Sequence, residues 1–181
     1  ITFGFFTRTA ALIALLLYGV AVWHHGIYML TYTNYLGEIL VLLILGAHHG
    51  ASSARHGYAG KGLFEGIKRA YERFAKALAP YSFLILRVTF GISLLYASIY
   101  AKVLHNNLAL MVADLPLAGH AHNIASALGF EPHFLVLGAA IVEIVIALFF
   151  IFGIEIRFTS LFLEFWLTLS LVYFGEVVWP H

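Results

Sequence analysis

The chain contains no cysteine. That absence excludes disulfides, thiolate metal sites and cysteine nucleophiles together, and it leaves the compartment unreadable from redox chemistry. Charge is the next scarcity: 10% of the 181 residues are Asp, Glu, Lys or Arg, against 62% hydrophobic. A soluble domain carries roughly a quarter charged residues, so this chain cannot cover itself with a water-compatible surface. A mean hydropathy of +0.92 points to lipid as its solvent. The net charge is +1, and the basic residues form no groove-like stripe, so nucleic acid is not an expected partner. No basic n-region followed by a small-residue cleavage pattern marks a signal peptide. The glycines of "HGYAGKG" at 56–62 lack the spacing of a phosphate-binding loop. Ser52 and Ser53 have histidines near them in sequence only, which makes no acyl-transfer constellation. Ile1 is not an initiator methionine, and Phe3 to Phe6 reads as the tail of an earlier apolar segment, so part of a longer polypeptide, or a processed or partly traced one, is expected.

What is present is long apolar sequence. A bilayer core takes about 20 apolar residues of helix, and five stretches approach or meet that length. They run from about Thr9 to Trp23, around Leu36 to Ala47 with a start near Ile27 or Tyr32, from Tyr81 to Leu104, from His133 to Phe152, and from Phe158 to Val178. Pro80, Pro132 and Pro180 stand at edges, where proline costs a helix least. The expected fold is an all-α membrane protein, about five transmembrane helices in a bundle. Residues 1–50 supply two of them, 51–80 a connector, and 81–181 the other three.

Orientation follows from the basic residues. The connector holds Arg55, Lys61, Lys68, Arg69, Arg73 and Lys76, whereas the loops at Trp23 to Tyr35 and His105 to Pro132 hold no Lys or Arg. Arg8, Arg87 and Arg157 fall on the connector's side, and Lys102 lies opposite. The connector is therefore expected in the cytoplasm of a prokaryotic cell, with both basic-free loops outside. Within it, Leu63, Ile67, Ala70, Tyr71, Phe74 and Leu78 recur at helical spacing between charges, the pattern of a helix lying on the inner leaflet. A second short amphipathic helix is expected from Leu108 to Leu128.

The chain matches itself once. "FGFFTRTAAL" from Phe3 aligns with "FGIEIRFTSL" from Phe152, pairing Phe3 with Phe152, Gly4 with Gly153, Arg8 with Arg157 and Leu12 with Leu161. In both places a glycine and then an arginine precede an apolar helix. "LRVTFGISLLYASIYAKVLH", with Arg87, Gly91, Tyr96 and Lys102, and "GAAIVEIVIALFFIFGIEIR", with Glu143 and Gly153, resemble the first two helices of the DoxX-like superfamily of small four-helix membrane proteins. A third would start at Arg157. "TRTAALIALLLYGVAVW" is similar to that third helix again, and "YLGEILVLLILGAHHG", with Glu38 at its outer start, to a fourth. The resemblance implies the end of one unit, a basic linker and the start of another. The chain departs from the family in its richness in histidine.

Ionisable groups within apolar helices are costly and so are functional candidates. Glu143 stands at mid-helix, where a carboxylate is either protonated or paired. It reads equally as a proton relay or as a hydrogen-bond acceptor that holds helices together. Lys102 is a candidate partner for it, although a lysine there can also snorkel outward. Glu164 lies deep on the fifth helix, with Arg87 as a candidate partner across the bundle, and Glu38 completes the intramembrane set.

Histidine is abundant, with ten residues. His24, His25, His105, His120, His122, His133 and His181 fall on the expected outer side, and His48, His49 and His56 on the inner side, where headgroup contact is the expected role. His120 and His122 form an H-x-H pair that Asp114 or Glu131 can join, and imidazole with carboxylate suits zinc, copper, iron or nickel. Against this, adjacent pairs such as His24 and His25 point in different directions on a helix, and no spacing reproduces a strong metal signature.

Three readings of function follow. The resemblance implies a membrane subunit of a quinol-type oxidoreductase complex, anchoring or accessory and not clearly catalytic. Quinone would be near Glu143, Lys102 and Arg87, with Tyr96, Tyr100 and Trp166 as flanking aromatics. A second reading is copper or zinc handling, or transport, through the outer histidines. A third is a structural subunit, in which Gly91, Ala97, Ala101, Gly138, Ala139 and Ala140 permit close helix packing against other membrane subunits.

Overall fold

The computed structural model describes residues 7–49, 63–107, 109–110, 129 and 131–174. All regular structure among them is helical. The helices are α1 (Thr7–His25), α2 (Thr33–His49), α3 (Leu63–Leu78), α4 (Ser82–Ala97), α5 (Pro132–Phe152) and α6 (Ile156–Phe174). A 3₁₀ segment, Gly26–Tyr32, joins α1 to α2, and a shorter one, Ala79–Tyr81, joins α3 to α4. A π-helical turn, Ser98–Leu104, extends α4.

Three stretches are long and apolar enough to cross a membrane: Thr7–Gly46, Arg69–Leu104 and Pro132–Phe152. The lipid assignment therefore rests on both composition and helix length. The α5 helix alone, at 21 residues, is about 32 Å long, which matches a hydrocarbon core of about 30 Å. The exposed side chains are those of a lipid-facing protein: Leu16, Leu17, Val20, Trp23, Phe134, Phe158, Leu161 and Phe165 all stand outward. The expected Leu108–Leu128 helix lies almost wholly outside the described residues, as do Phe3 and Gly4 of the internal match.

The chain divides into two compact units, Ile1–Phe90 and Gly91–His181, and the division falls inside α4. In the first, α1 and α2 pack side by side as a hairpin. The start of α1 lies beside the end of α2, since a Cβ added to Gly46 would rest 3.5 Å from Thr7 Cγ2. Tyr18 donates its phenol hydrogen to Met29 O at 3.1 Å and ties the 3₁₀ segment back onto α1. The α3 helix packs on α2. Tyr71 links all three helices, because its hydroxyl donates to Leu43 O at 2.5 Å and the Arg8 guanidinium lies 5.4 Å from its ring centroid. Ala75 is buried beside that contact, whereas Phe74, expected on the same apolar face as Tyr71, is exposed. A tightly packed helix contact takes the small residue, and the large ring is left for the lipid side.

Near the end of that unit, Gly37 of α2 meets Thr89 of α4. A Cβ on Gly37 would sit 1.9 Å from Thr89 Oγ1, so only glycine allows this approach. In the second unit, α5 packs against the π turn and against α6. Gly91 is buried on α5, where a Cβ would meet Ile151 Cγ1 at 2.7 Å and Ala147 O at 2.8 Å. Pro132 opens α5 after Glu131, whose carbonyl accepts from the Phe134 and Leu135 amides. Gly153 closes α5 at φ 78°, with its own amide and that of Ile154 both bonding Phe149 O. This is the left-handed stop for which glycine is preferred.

Candidate intramembrane charged site

Glu143 lies two turns before the buried Phe150 and one before the fully buried Ala147, on the stripe of α5 that includes Val136, Ala140 and Ile146. Its side chain is 13% exposed. Facing it is the stripe of Gly91 on α4 and Ser98 and Lys102 on its π turn. Because Gly91 brings the two backbones close, the polar groups seven and eleven residues further on reach the carboxylate without a long detour.

The contacts are specific. The Lys102 ammonium forms a salt bridge with Glu143 Oε1. Ser98, fully buried, places its Oγ 2.7 Å from Glu143 Oε2. Trp166 of α6 aims its indole N–H at Glu143 Oε1 from 3.5 Å. One carboxylate of α5 thus gathers groups from the π turn and from α6.

Ser98 adds a proton-counting constraint. Its Oγ is also 2.8 Å from Leu94 O, and a hydroxyl owns one hydrogen. With Glu143 ionised, the serine serves one acceptor at a time. With Glu143 protonated on Oε2, the carboxyl donates to Ser98 while Ser98 donates to Leu94 O. Both arrangements use the same atoms in the same places.

The π turn sets where Lys102 points. It begins at Ser98, and its wider winding is closed by bonds such as His105 N to Tyr100 O at 2.9 Å. π turns are rare, and they are frequent at functional sites. Within and beside it the aromatics are used up among themselves. Tyr96 and Tyr100 stack at 5.5 Å, and the His105 ring lies 4.3 Å from that of Tyr100.

Glu38 is exposed on α2. Arg87 is half-buried in α4, its Nε buried with no hydrogen-bond partner among the described residues. Glu164 is exposed on α6. His24 and His25 end α1 and are exposed, His105 follows the π turn, and His133 stands exposed in the first turn of α5. Among the described residues no group of three or more His, Asp or Glu side chains is arranged to hold a metal ion. His120, His122 and His181 lie outside the described residues.

Ser98 is not among the site residues expected from the sequence. The signal was there, since it stands seven residues after Gly91 and four before Lys102, on one face of the helix. Compared with known families, with curated proteins and with solved structures, the chain has no match in any of the three.

Proposed function

We propose that this chain is an integral membrane subunit of a quinol-linked oxidoreductase complex, an anchoring or accessory component related to the DoxX-like superfamily. In this reading α1, α2, α4 with its π turn, α5 and α6 are five membrane spans of a prokaryotic cytoplasmic membrane. The basic connector lies in the cytoplasm, and the histidine-rich loops lie outside. The observation that carries the reading is the Glu143 cluster: a carboxylate, an ammonium, a hydroxyl and an indole gathered among apolar helices. Charges at such depth are expensive and mark proton or substrate pathways.

Oxidation of a quinol to a quinone gives up two electrons and two protons. The electrons pass to a redox centre in a partner subunit, and the protons need an acceptor in surroundings that hold little water. Glu143 accepts them one at a time, passing the first on to water before it takes the second, and Ser98 accepts a hydrogen bond from the protonated carboxyl. Lys102 supplies the compensating charge while Glu143 is ionised, and can donate to a ring oxygen when Glu143 is neutral. Trp166 lies beside the carboxylate as the adjoining aromatic surface.

The test uses the full chain in phosphatidylcholine vesicles, with Trp23→Phe and Trp179→Phe leaving Trp166 as the sole indole. Decylubiquinone should quench its fluorescence saturably, and Glu143→Gln should weaken that binding several-fold. Quenching that rises linearly with quinone and is identical in Glu143→Gln would refute the reading.

A further inference from the structure

Arg8 carries a charge that the Glu143 cluster does not use. It stands in the first turn of α1, half-buried, with its stem against α2: a Cβ added to Gly46 would rest 3.6 Å from Arg8 Cγ. Its guanidinium carbon lies 5.4 Å from the centroid of the Tyr71 ring of α3. Tyr71 is itself fixed by its bond to Leu43 O on α2. Three helices of one compact unit therefore hold this side chain.

Arg8 Nε and Nη2 are both buried, and neither has a hydrogen-bond partner among the described residues. These two nitrogens form one side of the guanidinium, the edge whose parallel N–H groups take two oxygens of a carboxylate or a phosphate. The Tyr71 ring attracts the cation but gives those N–H groups no acceptor. Charged donors left unbonded in a buried place are costly, so the edge calls for an oxyanion. Glu72 of α3 is exposed, and Glu38 stands about 12 Å further along α2 than Gly46.

Position names the source of that oxyanion. Thr7 and Gly46 are the two ends of an apolar stretch long enough to cross a membrane, and they lie side by side. Arg8 is thus at the edge of the hydrocarbon, the depth at which lipid headgroups begin. The α3 helix meets α2 at the same end. Tyr71 and the buried Ala75 lie on its packed side, whereas Arg69, Arg73 and Lys76 recur at spacings of four and three residues on the opposite side. Basic residues in this position draw anionic lipids to the spot.

We infer that Arg8 binds the phosphate group of an anionic phospholipid, whose two free oxygens accept from Nε and Nη2. Tyr71 holds the guanidinium at headgroup depth. Because Arg8 as a whole is half-buried, turning its last torsions brings the edge to a headgroup without moving a helix. The inference goes beyond the quinol reading and does not depend on Glu143. It needs only that the α1–α2 hairpin crosses the membrane.

The test titrates the full chain in detergent with dioleoylphosphatidylglycerol, dioleoylphosphatidylcholine or inorganic phosphate, and counts bound molecules by native mass spectrometry. The first phosphatidylglycerol should bind about tenfold more tightly than phosphatidylcholine. Arg8→Gln and Arg8→Lys should both lose most of that preference, since an ammonium keeps the charge but has no paired N–H edge. Arg157→Gln, which removes the same charge from the start of α6, should keep it. Without lipid, Arg8→Gln should unfold at no lower a temperature than the unaltered chain, because it sheds buried donors that have no acceptor. Full binding by Arg8→Lys, or equal loss in Arg157→Gln, would overturn the inference in favour of diffuse charge. A marked fall in the lipid-free unfolding temperature of Arg8→Gln would make Arg8 structural and overturn it as well. Displacement of the lipid by millimolar inorganic phosphate would assign the edge to free phosphate and overturn the lipid.

Discussion

Lys102 and Glu143, 41 residues apart in sequence, meet as an ion pair that joins the π turn after α4 to the middle of α5. Removing one partner leaves the other charge buried and uncompensated, which costs about 3–5 kcal/mol. Lys102→Met or Glu143→Leu alone should therefore lower the unfolding free energy by about that much in detergent–lipid micelles. The double variant should recover most of the loss, since two apolar groups need no partner. Additive losses would show that the two residues contribute independently.

Gly91 and Gly37 set two close helix approaches. Gly91→Ala forces its methyl against Ala147 O and Ile151, and overpacking of this kind costs about 1–3 kcal/mol. Because Gly91 holds α4 against α5 two turns from Ser98, the substitution should also loosen the Glu143 cluster, read as a change in the emission of Trp166. Gly37→Ala, which meets Thr89, should destabilise by a similar amount and leave that emission unaltered.

Glu155 holds a left-handed backbone at φ 42° in the turn between α5 and α6. A residue with a Cβ costs about 1–2 kcal/mol there, so Glu155→Gly should stabilise the chain by about 1 kcal/mol despite the greater entropy of glycine. Thermal unfolding of the purified protein checks the sign. The Thr159 amide and hydroxyl both contact Glu155 O, contacts that the substitution preserves.

The chain's lack of cysteine makes topology directly readable. Single substitutions Arg73→Cys and Lys76→Cys should label only after a maleimide is admitted to the cytoplasmic side. His24→Cys should label from outside. The reverse pattern would invert the orientation drawn from the basic connector.

Much of the architecture is legible in the sequence because the bilayer imposes so simple a rule. Apolar runs near Thr9, Tyr81 and His133 become α1, α4 and α5, and the prolines at 80 and 132 fall at their edges. Glu143 stood out for the same reason, as a carboxylate with apolar turns on both sides. What periodicity did not carry was local winding and close approach. The π turn at Ser98–Leu104 has no composition of its own, and it decides the direction of Lys102. The inward choice of Ala75 over Phe74 depends on how near α3 comes to α2, which the pattern of α3 alone does not contain.

The central claim is that this chain serves a quinol-linked membrane complex through Glu143. The most direct measurement is quinol oxidation by native membranes of the source cell, with the chain present, deleted, or carrying Glu143→Gln at normal abundance. The account predicts a marked fall in rate on deletion and a comparable fall for Glu143→Gln, with Glu38→Gln close to unaltered. Equal rates in all of these membranes would contradict it.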